Sequence, residues 1–190
     1  MITEKINYFE AKGRENTEAT LKLAIEAARA LGIKDLVLSS TEGNSAKLLA
    51  DEIDHEGLNI TIVTHAYGQM KPNTNPMPVE LRRHLIEKGF NLCTAAHTLS
   101  GAERSLSNTF GGVYPVEIIA HTLRMFGQGT KVCVEISAMA ADAGFIMSGE
   151  PVMAVGGTGR GADTAIVLRP EVSSNIIKTK IDRIICKPID

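Results

Sequence analysis

Hydroxyl side chains cluster directly after a short apolar run at residues 36–38, just before an amphipathic stretch that begins at about residue 45. This order predicts a buried strand that leads through a loop into a helix. Backbone N–H groups and the helix dipole favour a bound anion at a helix N-terminus. The sequence lacks the Walker A pattern GxxxxGK[ST], and a capped turn without a ligand is the alternative. The residues expected to form this phosphate cradle are Ser39, Ser40, Thr41, Gly43, Asn44 and Ser45.

A second loop with anion-binding chemistry spans residues 156–164 and has four glycines among residues 156–161. Glycine lets the backbone approach a ligand closely, and the Arg160 guanidinium matches a phosphate or carboxylate. Because a strand and not a helix is predicted after this loop, it is not a dinucleotide-binding fingerprint. A mobile glycine hairpin with a solvated arginine is the alternative. The residues expected to contact a ligand are Gly156, Gly157, Thr158, Arg160, Gly161, Asp163 and Thr164.

Four more side chains are candidates for the same site. His65 follows a predicted strand, and a histidine there has a pKa suited to proton transfer. Glu135 lies near the end of an apolar run, where it either accepts hydrogen bonds from a ligand or holds a loop. Arg104 and Ser100 either reach over the site as a lid or belong to a short solvated helix. The sequence contains no HExxH, CxxC or DxDxDG pattern, so no metal site is expected.

Hydrophobic periodicity predicts the elements that must position these residues. Helices are predicted at residues 21–31, 46–53, 78–88 and 115–127. Strands are predicted at residues 36–38, 60–63, 92–95, 132–136, 152–155, 165–168 and 181–186. The alternation predicts an α/β fold, a three-layer α/β/α sandwich with a mostly parallel mixed sheet that ends in an antiparallel hairpin. Residues 1–190 are expected to form a single α/β domain with insertions at about 66–78 and 98–113. Both candidate loops then lie at one edge of the sheet.

Composition excludes several classes of function. The net charge of −2 leaves no basic surface for nucleic acid, and aromatic residues make up only 4% of the chain. No apolar run approaches the ~18 residues that a membrane span requires. The N-terminus has no signal-peptide pattern, so a cytoplasmic protein is expected. The three cysteines, Cys93, Cys133 and Cys186, are odd in number and lie in apolar stretches, which predicts reduced, buried thiols.

Residues 16–65 resemble the C-terminal α/β domain of pyruvate kinase. In that domain a helix, a strand and a Ser/Thr-Gly loop bind the phosphate of an allosteric sugar bisphosphate. The sequence Leu-Ser-Ser-Thr-Glu-Gly-Asn-Ser-Ala at residues 38–46 looks like that loop. The sequence Asp-Thr-Ala at residues 163–165 resembles the end of the glycine turn before the final hairpin strand. The catalytic barrel of pyruvate kinase has no counterpart here, so its activity is not carried over.

The chain is also similar, over nearly its whole length, to small stand-alone archaeal proteins that contain this domain. The stretches that carry the similarity are residues 100–105, 132–136, 139–142 and 159–164. This resemblance implies a doubly wound α/β/α domain with bound flavin mononucleotide (FMN), whose terminal phosphate suits the cradle.

The expected function is therefore binding of a phosphorylated small molecule, with FMN as the ligand. One alternative is an enzyme that acts on a phosphorylated metabolite or uses the flavin, with His65, Glu135 or Arg104 near the reacting atoms. A second alternative is a metabolite-sensing regulatory module that forms a homo-oligomer.

Overall fold

The computed structural model describes residues 1–189, in which seven strands form one sheet. The strands are β1 (Asn7–Phe9), β2 (Asp35–Ser39), β3 (Asn59–Val63), β4 (Asn91–Cys93), β5 (Val152–Gly156), β6 (Thr164–Arg169) and β7 (Lys180–Pro188). The α-helices are α1 (Thr17–Leu31), α2 (Asn44–Glu52), α3 (Val79–Glu87), α4 (Glu103–Phe110), α5 (Pro115–Arg124) and α6 (Gln128–Asp142). Short 3₁₀ helices occupy Arg14–Asn16 and Ser173–Lys178.

The sheet has the order β1-β7-β6-β5-β2-β3-β4. Strands β5, β2, β3 and β4 run parallel, whereas β6 pairs antiparallel with both β5 and β7. The predicted mixed sheet and its antiparallel hairpin are therefore confirmed. In register, Ser39 pairs with Val63 and Val63 with Cys93, so the carboxyl ends of β2, β3 and β4 are level. Loops that leave these ends share one edge of the sheet.

Two apolar clusters cover the two faces of the sheet. Leu36 and Leu38 of β2 pack with helix residues such as Leu21 and Leu49 on one face. Val37, which points the opposite way, packs with α6 on the other face. Helices on both faces of a mostly parallel sheet give the three-layer sandwich predicted from the alternation of elements.

The prediction of a strand at residues 132–136 is wrong, because these residues lie inside α6. Nearly the whole of α6 is buried, from Gly129 to Ala141 with Val132 as the partly exposed exception. A helix that is buried on most sides presents a continuous apolar run, which periodicity cannot distinguish from a buried strand. Glu135 therefore lies on a helix.

Smaller differences concern the ends of elements. Helix α1 ends at Leu31, as predicted, and Gly32 follows it in a left-handed conformation with φ of 69°. The second helix, predicted at residues 46–53, begins at Asn44 and ends at Glu52. Asn16 precedes α1, but its side chain donates to the Ala11 carbonyl oxygen and caps no helical N–H group. Strand β1 was not predicted because its three residues are mostly exposed and lack an apolar pattern.

All three cysteines are free and buried, as predicted. Burial raises the pKa of each thiol, to about 11 for Cys186, so thiolate chemistry is disfavoured. Across residues 1–189, none of the helices combines the length and apolar character needed to cross a bilayer.

Candidate functional site

A cleft of about 450 Å³ opens at the carboxyl ends of the parallel strands. This volume is within the range of small-molecule sites. The cleft brings together twelve of the seventeen predicted site residues, drawn from segments that are far apart in the chain. They are Ser39, Ser40, Thr41, Asn44, Ser45, His65, Ser100, Arg104, Glu135, Gly157, Arg160 and Gly161.

The loop of residues 39–45, here called the cradle loop, contains unpaired hydrogen-bond donors. The N–H group of Ser40 donates to the Val63 carbonyl oxygen at 3.0 Å, and its hydroxyl accepts from the Ala46 N–H group at 3.3 Å. Within residues 1–189, the backbone N–H groups of residues 41–45 have no acceptor. Together with the hydroxyls of Ser39 and Ser45, they place several hydrogen-bond donors at the N-terminus of α2, where the helix dipole favours negative charge.

Gly43 belongs to the cradle loop but does not line the cleft, because it packs against Met77 and Leu81. Its φ is 95°, a left-handed conformation that favours glycine. A Cβ atom here would collide with the Leu81 side chain and lie 3.1 Å from the Met77 Cγ atom. A larger residue at this position would displace the Leu81 side chain and hold the backbone in a strained conformation.

The glycine-rich loop that joins β5 to β6 is folded tightly against its surroundings. A Cβ atom at Gly157 would collide with the Gly161 carbonyl oxygen, and one at Gly161 would collide with Arg14. The Arg160 Nη1 atom lies 3.0 Å from the Glu42 carboxylate, so this ion pair links the two candidate loops. Arg160 is largely exposed, with 72% of its side chain accessible.

Asp163 is fully buried and organises the glycine-rich loop. Its carboxylate accepts hydrogen bonds from the N–H groups of Thr158 and Gly13, at 3.1 and 3.3 Å, and from the Thr164 hydroxyl, at 2.8 Å. Gly156 is packed closely as well, because a Cβ atom there would lie 2.9 Å from the Gly129 carbonyl oxygen. The structure thus places Thr158, Asp163, Thr164 and Gly156, like Gly43, outside the cleft lining.

We expect Asp163→Asn to lower the free energy of unfolding by about 2–4 kcal/mol, because an amide nitrogen replaces one of two buried acceptor oxygens. Urea denaturation of the two proteins measures the difference. Asp35→Asn is a matched control, since Asp35 is partly exposed and accepts from Asn59 at an exposed position. Equal stability of wild type and Asp163→Asn would contradict this structural role.

A series of hydrogen-bonded ionisable side chains lines the other end of the cleft. Lys131 Nζ lies 2.6 Å from Glu135 Oε2, and His97 Nδ1 lies 3.4 Å from the same oxygen. His97 Nε2 lies 3.2 Å from His65 Nδ1. The Leu99 N–H group donates to the other Glu135 oxygen at 3.1 Å. His65 and His97 follow β3 and β4, whereas Lys131 and Glu135 come from α6.

The charges in this series shift the pKa values of its members. Burial by itself raises the pKa of Glu135, but the His97 hydrogen bond and the Lys131 charge outweigh it and lower the pKa to about 2. Burial lowers the pKa of Lys131, and Glu135 opposes that shift. Glu135 is therefore a carboxylate at neutral pH, held between a lysine and a histidine.

Sequence reasoning missed several cleft residues, among them Arg124, Gln128 and Lys131. Lys131 and Glu135 are spaced by four residues, which places them on one face of a helix. This signal was hidden because the segment was predicted as a strand. Within the part of the chain that the structure describes, no group of three or more His, Cys, Asp or Glu side chains is arranged to hold a metal ion.

Comparison with known proteins identifies one family. The family model for the pyruvate kinase alpha/beta domain matches residues 18–168. A solved pyruvate kinase from Cryptosporidium parvum is 18% identical, with a TM-score of 0.42 over 81% of this chain and 22% of its own. Cryptosporidium parvum pyruvate kinase in complex with ADP is 19% identical, with a TM-score of 0.39 over 87% and 23%. The chain thus spans less than a quarter of the length of these enzymes.

Proposed function

Because the chain belongs to the family of the pyruvate kinase alpha/beta domain, we propose that its cleft binds a phosphorylated small molecule and that this ligand is FMN. We place the chain among the stand-alone archaeal members of the family on the motifs at residues 100–105 and 159–164.

The unpaired N–H groups of residues 41–45 carry this proposal. Five backbone donors in one short loop, beside several hydroxyls, match the oxygen atoms of a phosphate monoester. The positive end of the α2 dipole adds a favourable interaction with a dianion. Arg160 lies next to this loop through its ion pair with Glu42, so its guanidinium is within reach of the same anion.

The residues that line the rest of the cleft support a ligand with a flat ring and hydroxyl groups. Val63, Met70, Val132 and Ile136 contribute apolar side chains that would cover a flat ring. The polar side chains of Thr64, Gln69 and Gln128 line the same cleft and would bond to hydroxyl groups. When bound, FMN supplies one- and two-electron redox chemistry, while the protein supplies binding, orientation and electrostatics.

The first experiment compares FMN with riboflavin, which has the same ring and ribityl chain but no phosphate. We expect purified protein to be yellow, and mass spectrometry to identify FMN as the released ligand. In fluorescence titrations of the emptied protein, FMN should bind at least about 30-fold more tightly than riboflavin, because only FMN has a dianion for the cradle loop.

Inorganic phosphate serves as the control in the same titration. It should compete with FMN and leave riboflavin binding unchanged. A protein without affinity for FMN would overturn the proposal. Equal affinities for FMN and riboflavin would show that the cradle loop contributes nothing to binding.

A further inference from the structure

Helix α4 lies at the mouth of the cleft, where Arg104 of its first turn lines the opening. None of its residues is buried. Within residues 1–189, a single hydrogen bond joins α4 to a segment other than the residues that flank it. The Val116 N–H group donates this bond to the Glu103 carboxylate at 2.9 Å. A helix with so little burial and so few hydrogen bonds to its surroundings moves at little cost in free energy.

A groove of about 430 Å³ lies between α4 and the loops that follow β3 and β4. Four residues line both this groove and the cleft, so the two spaces adjoin. They are Gln69, His97, Ser100 and Arg104. The groove therefore leaves room for α4 to approach the loops and the mouth of the cleft.

The orientation of α4 is the reverse of that of an ordinary surface helix. An amphipathic helix packs its apolar side against the protein and exposes its polar side to water. Leu106 and Phe110 of α4 are spaced by four residues on one side of the helix, and they are 42% and 75% exposed. The opposite, polar side faces the protein across the groove. Its residues are Arg104, Ser105, Asn108 and Thr109.

Glycines in left-handed conformations flank α4 at both ends. Gly101 precedes the helix with φ of 38°, and Gly111 and Gly112 follow it with φ of 70° and 85°. In the described chain, no heavy atom outside the neighbouring residues lies within 4 Å of a Cβ atom built on Gly111 or Gly112. Backbone conformation, and not a lack of space, therefore favours glycine at both positions. Residues of this kind at the ends of an element absorb the backbone rotations of a hinge.

The cleft offers a flat ring no aromatic contact from the residues that line it. Among residues 1–189, the side chains at the cleft include aliphatic ones such as Val132 and Ile136, but no Phe or Tyr. The chain has no Trp. A ring of the size of isoalloxazine has two large faces, and an aromatic neighbour would add to the stability of its burial. Phe110 is six residues from Arg104, or about 9 Å along the helix axis.

We propose that α4 is a lid and that Leu106 and Phe110 are ligand-binding residues. When the ligand binds, α4 turns about its own axis at the flanking glycines, enters the groove and packs these two side chains onto the ring. Burial of Leu106 and Phe110 favours closure, because the ring supplies apolar surface that the empty cleft lacks. The proposal rests on the proposed function, since the ring belongs to the ligand held at the cradle loop.

Closure is tested by the reactivity of introduced thiols on the full chain. The native cysteines are buried and have raised thiol pKa values, so they react slowly with iodoacetamide. Leu106→Cys and Asn108→Cys place a thiol on opposite sides of α4. We expect saturating FMN to slow alkylation of Leu106→Cys at least about tenfold and to leave Asn108→Cys reactive. Ile118→Cys, at an exposed position of α5, is the matched control and should react at one rate with and without FMN.

The same measurement separates the lid from other arrangements of α4. Slowing of Asn108→Cys in place of Leu106→Cys would show that α4 enters the groove without turning. Slowing of Leu106→Cys that follows protein concentration and not FMN would show that a second copy of the chain covers this side. Either result, or unchanged rates in protein that holds FMN, would overturn the lid alone. A protein that binds no FMN would overturn the proposed function, and the lid with it.

The role of Phe110 in binding is tested by fluorescence titration of Phe110→Ala with FMN and with riboflavin. We expect both affinities to fall about tenfold, because the lost contact is with the ring that the two ligands share. The loss should appear mainly as faster dissociation. Ile118→Ala removes an exposed apolar side chain of α5 and should leave both affinities unchanged. Affinities of Phe110→Ala within about twofold of wild type would contradict a binding role for this residue.

Discussion

Replacement of Glu135 with alanine is expected to lower the free energy of unfolding by about 3–5 kcal/mol, because it leaves a buried lysine without its partner. The side chains of Lys131 and Glu135 are only 8% and 4% exposed, and their charged atoms lie 2.6 Å apart. The substitution also removes the acceptor for the Leu99 N–H group and for His97. Urea denaturation at neutral pH measures the loss.

The double variant Lys131→Met/Glu135→Ala separates the cost of the unpaired Lys131 charge from the cost of the hydrogen bonds lost by Leu99 and His97. Methionine has a length similar to that of lysine and no charge, so we expect the double variant to regain about half of the lost stability or more. A double variant no more stable than Glu135→Ala would contradict a dominant role for the ion pair.

The Glu135 carboxylate also makes the free energy of unfolding depend on pH in the acid range. The pKa of Glu135 falls from an ordinary value of 4.5 to about 2 in the folded protein. A lowered folded-state pKa gives stability that is fully present above about pH 4.5 and is lost as the pH falls toward 2. The loss amounts to about 3 kcal/mol. Glu135→Gln should lack this part of the acid dependence when its unfolding curves are compared with those of wild type.

Asn44→Asp is expected to weaken FMN binding about 30-fold, or by about 2 kcal/mol, through repulsion between the new carboxylate and the ligand phosphate. Asn44 is exposed, lines the cleft and is the first residue of α2. An acidic residue at a helix N-terminus is favourable for folding, so the variant should be at least as stable as wild type. Fluorescence titration with FMN measures the effect.

Riboflavin is the control ligand, and its affinity should change little in Asn44→Asp because it has no phosphate. Ser174→Asp is the control variant, since Ser174 is exposed and follows β6 at the opposite end of the sheet. It adds the same charge and should leave FMN binding unaffected. Unchanged FMN affinity in Asn44→Asp would show that the FMN phosphate does not bind at the cradle loop.

Most strands of the sheet were predictable from the local pattern of apolar and polar residues. Apolar runs bounded by glycine and polar residues mark β2, β3, β5 and β6, because strands buried on both faces need apolar side chains throughout. The cradle loop was predictable for a related reason. Its hydroxyls and glycine lie between a strand and an amphipathic helix. The local sequence therefore predicts that the backbone N–H groups at the start of the helix point out from its N-terminus.

The other end of the cleft depends on tertiary structure. Nothing in the local sequence indicates that His65 and His97, 32 residues apart, place their rings in hydrogen-bond contact. Their proximity follows from the pairing of β3 with β4. Glu135 reaches them only because its segment is a helix packed across the sheet, and burial of that helix hid its periodicity. The role of Asp163 is likewise set by contacts with Gly13, 150 residues away.

The ion pair between Arg160 and Glu42 joins loops that are 118 residues apart in the chain. Chain entropy opposes such a non-local contact in the unfolded protein, so the two loops are held together only where the sheet between them is formed. A ligand held between these loops would therefore recognise the native protein and not the unfolded chain. Its concentration would then set the protein's resistance to heat and proteolysis, with a gain of about 2.7 kcal/mol at one hundred times Kd.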